Sequence, residues 1–315
     1  MCSARGARTA APATGPALLL LLVLALAAVA GCGGPVPPRT PRTGQPEVLI
    51  GLAPEHNLFR QLERHEPLAA YLGRKVGARI RLKVLPQYAD IVDDFAAQNL
   101  DGAFFGSFTY VLAHERHGVV VVARPEWPGN RSTYHGMVLV RRDSGIRGAA
   151  DLRGKRFAFV SKATTAGYLL PLHFFANAGI ADPVAFLGEA YFTGTHEDVI
   201  LDVLRGRADA GAAKNTVYER LAAEDARLDR ELVVLERSPE VPENALALRR
   251  DIDPRLRSAL RDALLAMDAD PAGRQVLADY GAVRFLATRH EDYRPVYEYA
   301  REAGLDLAHH EHHDR

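Results

Sequence analysis

The sequence is poor in cysteine and balanced in charge, and both features exclude classes of protein. Cys2 and Cys32 are its only cysteines, so the chain beyond residue 32 has no internal disulfide. Lysine and arginine number 39, as do aspartate and glutamate, and this zero net charge disfavours nucleic-acid binding, which needs a basic surface. The chain also lacks an HExxH motif and a P-loop. Its 315 residues, 48% of them hydrophobic, suffice for two lobes of ordinary size.

The N-terminus has the pattern of an export signal. Arg5 and Arg8 precede the apolar run ALLLLLVLALAAVA at 17–30, which small residues follow. A transmembrane anchor is the alternative, but the run is shorter than the ~20 residues of a membrane-spanning helix. The ending AVAGC resembles a bacterial lipobox, although Val29 stands where leucine is commoner. We therefore predict a signal peptide at 1–31 and lipid attachment to the thiol of Cys32.

Two polar segments flank the predicted folded part. Residues 32–46 are rich in proline and glycine, which predicts a flexible tether that holds the folded part off a membrane. Gly33, which follows the lipobox cysteine, does not indicate whether the protein is anchored in the inner or the outer membrane. The end AHHEHHDR, within 308–315, either binds a metal weakly or is solvated and disordered, and we predict the second. The expected location is the cell envelope, outside the cytoplasm and lipid-anchored.

From residue 47 onward, short apolar runs alternate with amphipathic stretches. This β-α rhythm predicts mainly parallel sheets covered by helices. The segments DGAFFGSFTYVL at 101–112 and DAGAAKNTVYERL at 209–221 echo each other, which indicates two similar lobes facing one another. Strands are predicted at 47–53, 78–85, 101–106, 119–124, 137–142, 155–160, near 184–187, 208–213 and 232–237. Helices are predicted at 59–77, 87–98, 108–117, 167–178, 196–205, 216–223, 254–267, 271–280 and 291–303.

The stretch SKATTAGYLLP at 161–171 places hydroxyls and a glycine where a strand becomes a helix. The first N–H groups of a helix have no intrahelical partner and carry partial positive charge. Thr164 and Thr165 add hydroxyl donors, and Gly167 lets the backbone approach a ligand closely. Together these features predict an anion site. Simple N-capping by threonine is the alternative.

Other helix starts repeat the pattern. His196 and Glu197 occupy the first turn after Thr195, which forms a capping box with Asp198. The alternative for His196 is a capping or packing role. Ser107 lies at a third strand-to-helix junction, and Lys214 with Asn215 at a fourth. Ligands bind beyond the carboxyl ends of strands in open α/β sheets, so we expect these starts to converge on one cleft.

Five segments together resemble one known family. They are QYADI (87–91), DGAFFGSFTY (101–110), YHGMVLV (134–140), ATTAGYLLP (163–171) and GTHEDVILDVLRGRADAGA (194–212). In this order they resemble the periplasmic phosphonate, phosphite or phosphate-type binding components of ABC importers. The resemblance covers nearly all of residues 47–290.

The resemblance implies an α/β fold of the type II periplasmic-binding class, with two lobes, each a mainly parallel sheet flanked by helices. Lobe 1 is expected at 47–133 and 243–307, and lobe 2 at 134–242. The chain is expected to cross between them near residues 125–137 and 238–246.

The resemblance also implies roles for single residues. Thr164 and Thr165 match two hydroxyl positions of the family, and Ala166 stands where a third hydroxyl is common, so only its N–H can serve. Glu197 would meet an ammonium group of the substrate, whereas Lys214 would favour a more anionic ligand if it points inward. Tyr88 and His196 match residues of the family's pocket, and Tyr134 and His135 would rim the cleft. The predicted ligand-binding residues are Thr164, Thr165, Ala166, Gly167, Tyr88, His196, Glu197, Ser107, Phe105, Tyr134, Lys214 and Asn215.

The function so predicted is capture of a small oxyanion in the cleft for delivery to an ABC permease. The chain is expected to act as a monomer, without a cofactor, a catalytic residue or a metal. One alternative is a transferrin-type metal receptor that uses His56, His135, His196 and a tyrosine such as Tyr88 or Tyr191. The other is an enzyme on the same fold, of the thiamin-precursor type, against which the cleft offers no cysteine nucleophile.

Overall fold

Most of the chain beyond the predicted tether has a defined structure. A computed structural model describes residues 46–55, 58–88, 90–97 and 100–314. The predicted signal peptide, Cys32, nearly all of the predicted tether and His56 lie outside these residues. Within them, no helix combines the length and the apolar character that crossing a membrane requires.

The secondary structure alternates as predicted over most of the chain. The strands are β1 (Glu47–Leu52), β2 (Arg79–Val84), β3 (Gly102–Phe105), β4 (Val120–Glu126), β5 (Thr133–Tyr134), β6 (Gly136–Arg141), β7 (Arg156–Phe159), β8 (Glu189–Phe192), β9 (Ala210–Lys214), β10 (Leu232–Arg237), β11 (Val241–Pro242), β12 (Ala245–Leu248) and β13 (Arg284–Ala287). The helices are α1 (Leu58–Val76), α2 (Asp90–Ala97), α3 (Ser107–His117), α4 (Leu170–Asn177), α5 (Pro183–Phe186), α6 (His196–Leu204), α7 (Asn215–Glu224), α8 (Arg227–Glu231), α9 (Pro254–Leu265), α10 (Pro271–Tyr280) and α11 (Arg294–Glu302). A π-turn at Thr165–Leu169 leads into α4, and 3₁₀ turns cover Ala149–Leu152 and His290–Tyr293.

The strands form two main sheets. The first has the order β13-β4-β12-β3-β1-β2, and the second has the order β10-β6-β9-β7-β8. In the first sheet β12 and β13 run against the other four strands, and in the second only β6 runs against the rest. Most strands of each sheet thus share one direction, but three of the five neighbouring pairs in the first sheet and two of the four in the second are antiparallel, so both sheets are mixed.

A short ribbon lies where the chain passes between the sheets. Strand β5 pairs antiparallel with β11, and Val241 lies opposite Tyr134. The first strand leads from β4 to β6 and the second from β10 to β12, so both crossings meet in this ribbon. The lobe boundaries drawn from the sequence stay a prediction, but the ribbon is the place where they would fall.

Several short elements differ from the sequence prediction. The strand predicted near 184–187 is wrong, because Asp182 accepts a hydrogen bond from the N–H of Ala185 and Pro183 starts a short helix. The strand of this region is β8 instead. Strands β12 and β13 were missed, since the short runs ALAL and RFLA carry no alternation to mark them.

The end of the chain also differs from the prediction of disorder for residues 308–315. The tail packs against the body, with His310 8% and His312 3% exposed. The physical reason is that its imidazole and backbone groups find charged partners, including Arg116 and Asp93. The polar composition of the tail is therefore compatible with an ordered segment that packs on the body.

One hydrophobic cluster runs from sheet to sheet. It contains Phe108 and Tyr88 from the first half of the chain, Tyr134 from the ribbon, and Ala166 and Val199 from the second half. These residues come from elements on both sides of the ribbon, so the two halves pack against one another. The polar groups described next lie within this cluster.

Candidate functional site

Two helix starts from opposite halves of the molecule meet. Helix α3 begins after Gly106 and the π-turn begins after Thr164, and neither start is capped by a side chain of its own N-cap residue. The N–H of Phe108 donates to Oγ1 of Thr165 at 2.9 Å, and Oγ1 of Thr109 donates to the carbonyl of Ala163 at 3.1 Å. Two positive helix ends thus point into one buried region, where they favour negative charge.

Pro171 and Gly167 explain the shape of the π-turn. Proline has no N–H, so Pro171 leaves the carbonyl of Gly167 without its usual helical donor. That carbonyl accepts the N–H of Val160 instead, at 3.2 Å, which ties the end of the strand to the helix start. A Cβ on Gly167 would lie 2.4 Å from Cβ of Val160. Close packing of strand and helix is therefore enough to require this glycine, and its closeness to a ligand stays a prediction.

The three residues of the hydroxyl motif take different roles. Thr164 donates its hydroxyl to the carbonyl of Ser161 at 2.7 Å and so closes the preceding turn. Ala166 lies against Gly136, where a Cβ would be 3.1 Å from Cβ of Ala166. Only Thr165 directs its hydroxyl to the opposite helix start. Of the three, Thr165 is the best placed to touch a ligand.

Tyr88 has a buried hydroxyl with no hydrogen-bond partner among the described residues. The residue is 2% exposed, and its ring centroid lies 6.0 Å from that of His196. Burial, followed by the nearby Glu55 and Tyr134, raises the pKa of Tyr88 well above its ordinary value, so the phenol keeps its proton. A buried donor without an acceptor is costly, and a bound anion would satisfy it.

His196 and Tyr134 add further neutral donors. The backbone N–H of Lys214 donates to Nδ1 of His196 at 3.3 Å, so the proton of the neutral ring lies on Nε2. Burial raises the pKa of Tyr134, although Lys214 and hydrogen bonds with Ser107 and Thr165 work in the opposite direction. Ser107 itself donates to the carbonyl of Pro242 at 2.5 Å. His196 is thus connected through Lys214 and Tyr134 to the helix starts.

Lys214 is engaged by carboxylates. Its Nζ contacts Glu243 and lies 3.2 Å from Glu55 and 3.1 Å from Oδ1 of Asn244. Burial alone would lower the pKa of Lys214, but Glu243 and Glu55 outweigh it and hold that pKa above its ordinary value. The ammonium group also lies 4.4 Å from the ring centroid of Tyr134. The two carboxylates outnumber the single positive charge of Lys214, so this cluster adds no net positive charge that would favour the more anionic ligand predicted for it.

Two further predicted residues serve packing and positioning. Asn215 accepts the N–H of His135 at 3.0 Å and donates to Glu219, so its amide fixes the chain next to β6. Phe105 packs against Phe95, with ring centroids 5.9 Å apart. Neither side chain joins the donors around Thr165.

Glu197 lies in a different place. It lines a hollow of about 390 Å³ together with Arg60, Arg64 and Arg220. These residues come from helices α1 and α7. The helix start itself is capped, since the N–H of Asp198 donates to Oγ1 of Thr195 at 3.0 Å. Arg64 and Arg220 also line a small cavity beside Lys214, so the hollow at Glu197 adjoins the surroundings of Lys214.

Sequence reasoning missed the acidic groups beside Lys214. Glu55 follows β1, and Glu243 lies in the second crossing between the ribbon and β12. Glu243 also accepts the indole N–H of Trp127 at 2.8 Å. No motif marks either residue, because their proximity results from the crossing topology. A small cavity of about 30 Å³ adjoins this cluster.

The residues named for a transferrin-type metal site do not form one set. Nδ1 of His135 lies 3.1 Å from Glu240, and the hydroxyl of Tyr191 donates to Asp202 at 2.8 Å. Among the residues of this set that the structure describes, which leave out His56, only Tyr88 and His196 lie together. Among the described residues, the cluster that could hold a metal is elsewhere, at Asp93, His312 and His313.

The chain forms two helix-flanked β-sheets that are joined by two crossings, and buried hydrogen-bond donors meet between them. This arrangement defines a two-lobed binding protein. The chain belongs to the family of ABC transporter phosphonate periplasmic substrate-binding proteins, whose sequence profile matches residues 50–293. This family membership places the protein outside the cytoplasm, among the substrate-binding components of ABC importers.

Individual proteins agree with this assignment. The chain is 29% identical to a phosphate-import protein of Mycolicibacterium smegmatis over 58% of its own length. The match spans 60% of that protein, which is less than two thirds of its length. It is 24% identical to a probable ABC transporter phosphite-binding protein of Prochlorococcus marinus, over 83% of this chain and 92% of that protein.

Solved structures share the fold. A binding component of an ABC phosphonate transporter from Pseudomonas aeruginosa gives a TM-score of 0.77 at 22% identity, covering 83% of this chain and 87% of that one. The Prochlorococcus protein, solved with methylphosphonate, gives a TM-score of 0.73 at 21% identity, covering 82% and 99%.

Proposed function

We propose that this protein captures a small phosphorus oxyanion, such as phosphite, phosphate or a compact phosphonate, and presents it to an ABC permease. The observation that carries the proposal is the meeting of two helix starts from opposite lobes, joined by the Phe108 N–H and the Thr165 hydroxyl at 2.9 Å. Two relatives in the family, a phosphate-import protein and a probable phosphite-binding protein, support the same class of substrate.

The chemistry of the site favours an anion that accepts several hydrogen bonds. Tyr88 and His196 each offer a donor while carrying no charge of their own. The Thr165 hydroxyl accepts the N–H of Phe108 and has its own proton left to donate. A hydrogen bond to a charged oxygen contributes about 1.5–3 kcal/mol, so three of them in a water-excluded gap support useful affinity. Because Glu55 and Glu243 outnumber Lys214, we assign the positive potential that favours an anion to the helix ends.

Capture without turnover is the simplest use of this site. The donors are arranged to hold an oxyanion, and no covalent step is needed for two lobes to close on it. A permease of an ABC importer is the partner that the family membership supports. The lipid anchor at Cys32 and action as a monomer belong to the same proposal, and both rest on the sequence alone.

Calorimetry with a panel of ligands tests the proposal. The full chain is titrated in phosphate-free buffer with phosphite, phosphate, methylphosphonate, sulfate and arginine. At least one of the three phosphorus oxyanions is expected to bind, and arginine is not. Thr165→Val is expected to weaken that binding by about tenfold or more, since it removes one charge-assisted hydrogen bond.

Thr193→Val is the matched control. Its hydroxyl belongs to the same lobe but donates to the backbone carbonyl of Thr195 at 2.9 Å. It lines a separate groove of about 740 Å³ with Phe159, Tyr168 and Phe192. The proposal is wrong if no phosphorus oxyanion binds, or if Thr193→Val weakens binding while Thr165→Val leaves it unchanged.

A further inference from the structure

The C-terminal tail, residues 308–314, is held by both halves of the molecule. On one side, Nη2 of Arg116 in helix α3 donates to the carbonyl of His310 at 2.7 Å. On the other side, the N–H of Lys162 donates to Oδ1 of Asp314 at 2.8 Å, and Nε2 of His310 lies 3.1 Å from the carbonyl of Lys162. Lys162 lies just before the Thr164–Thr165 pair, so the tail is attached next to the ligand-binding turn.

Three side chains converge where the tail meets helix α2. Nε2 of His312 lies 2.9 Å from Oδ1 of Asp93, and Nε2 of His313 lies 2.5 Å from Oδ2 of the same carboxylate. One ligand atom from each residue falls within 4.8 Å of the others. The His312 side chain is only 4% exposed, whereas those of Asp93 and His313 are about one third exposed. His312 is thus buried, whereas Asp93 and His313 are accessible to solvent.

The hydrogen bonds of His312 point to a cation at its Nε2. Its Nδ1 lies 3.1 Å from the carbonyl of His310, and a carbonyl only accepts, so Nδ1 carries a proton. In a neutral ring Nε2 then presents a lone pair, yet it faces the Asp93 carboxylate, which is also an acceptor. These two acceptors need positive charge between them, which a second ring proton, a metal ion or, in the metal-free chain, the nearby Nη1 of Arg116 supplies. An imidazole whose second nitrogen donates to a backbone carbonyl is the common arrangement of a metal-ligating histidine.

We propose that Asp93, His312 and His313 form a binding site for a divalent transition metal ion of the zinc class, which fastens the tail to helix α2. Two imidazole nitrogens and one carboxylate form a donor set that zinc and its first-row neighbours bind well. Ligands at 2.0–2.1 Å in a tetrahedron lie about 3.3 Å apart, so the present separations need only small movements. The exposed sides of Asp93 and His313 leave room for water as a fourth ligand.

Arg116 fits this arrangement. Its Nη1 lies 3.1 Å from Oδ1 of Asp93 and 3.4 Å from Nε2 of His312, where a bound ion would take its place. The hydrogen bond from its Nη2 to the carbonyl of His310 can form with or without a bound ion. The guanidinium therefore holds the tail in register while the three ligands close on the ion. This site is distinct from the residues around Thr165 and does not depend on the proposed oxyanion.

Zinc titration of the untagged full chain tests the site. The chain is freed of metal with a chelator and titrated in phosphate-free buffer against a chromophoric zinc indicator. One zinc ion per chain is expected to compete with the indicator. His313→Gln and Asp93→Asn are each expected to weaken that binding at least tenfold, and both side chains are partly exposed, so the variants should fold.

His309→Gln is the matched control, since His309 lies in the same tail but is 84% exposed and pairs with Asp306. It is expected to leave zinc affinity unchanged. Amide hydrogen exchange supplies a second readout, in which zinc should slow exchange over residues 309–314 in the native chain but not in Asp93→Asn. Absence of competition by the native chain would overturn the proposal. So would equal losses in His309→Gln and His313→Gln, which would show chelation by a loose histidine-rich end.

Discussion

At the scale of single residues, the hydroxyl of Tyr88 is the group whose environment most needs a ligand. It is buried beside His196 and has no hydrogen-bond partner among the described residues. The hydroxyls of Tyr293 and Tyr299 share this lack, but of the three only Tyr88 has its ring against His196. Other buried tyrosines are bonded within the protein. Tyr71, for example, donates to Asp270 at 2.9 Å. A group kept in such a position at a cost to stability is expected to gain its hydrogen bond on binding.

Replacing Tyr88 by phenylalanine should therefore separate stability from binding. We expect Tyr88→Phe to raise the unfolding free energy of the ligand-free chain, up to the ~1–3 kcal/mol that an unsatisfied buried donor costs. Oxyanion affinity should fall by about tenfold or more for the same reason. Denaturant unfolding and calorimetry measure the two effects.

Tyr71→Phe is the control for this change, because the hydroxyl of Tyr71 already has its hydrogen bond within the protein. It should lower the unfolding free energy by about 1 kcal/mol and leave oxyanion affinity unchanged. If Tyr88→Phe destabilised the chain without affecting binding, its hydroxyl would have a structural partner and no ligand.

At this scale, the sequence predicted some site residues and not others. Thr165 and His196 could be predicted because a strand-to-helix junction with a polar first turn has a local signature. The pairing of Lys214 with Glu243 could not, since it depends on how the second crossing folds back. The packing role of Gly167 could not be predicted either, because the contact with Val160 depends on how the strand and the helix start meet in the fold.

At the scale of elements, the junction between β7 and α4 is the feature that positions the site. Pro171 releases the carbonyl of Gly167, which takes the N–H of Val160, and the resulting π-turn directs Thr165 across the cleft. π-turns within helices occur frequently at functional sites. The geometry of this turn is therefore expected to control both folding and affinity.

Gly167→Ala tests the turn. The new Cβ would lie 2.4 Å from Cβ and Cγ2 of Val160, so strand and helix start must move apart. We expect a loss of about 1–3 kcal/mol in unfolding free energy, as for overpacked cores, together with weaker oxyanion binding. Thermal or denaturant unfolding and calorimetry measure these losses.

Gly148→Ala is the control for this change, since nothing lies within 4 Å of the added Cβ and its φ of −166° is ordinary extended backbone. Equal stability and affinity of Gly167→Ala and the native chain would show that the contact with Val160 relaxes freely. In that case the packing argument for the turn would be wrong.

The elements themselves were mostly predictable, for a physical reason. Helix α1 buries Leu68 and Leu72 along one side, and this spacing is visible in the sequence. The short strands β12 and β13 were not predictable, because each is four residues long and takes its place by pairing with β4. The false strand near 184–187 arose where an N-capped turn, started by Asp182, overrode an apolar run.

At the scale of the whole molecule, the site depends on two lobes meeting. The donors around Thr165 come from both sides of the β5–β11 ribbon and are nearly all buried, so a ligand enters or leaves only if the lobes separate. Hinge closure about short crossing segments is a common way for binding proteins to do this. The two-lobed organisation was predictable from the echo between the two halves of the sequence. The packing of the tail across them was not, because charge pairing with Asp93 and Arg116 has no local signature.

The structure of the complex with methylphosphonate, determined by crystallography, tests the central claim most directly. We predict that the phosphonate group lies between the start of α3 and the π-turn, within hydrogen-bond distance of Tyr88 Oη, His196 Nε2 and Thr165 Oγ1. A phosphonate seated instead in the aromatic groove of Phe159 and Phe192, or among Arg60, Arg64 and Arg220, would contradict the account.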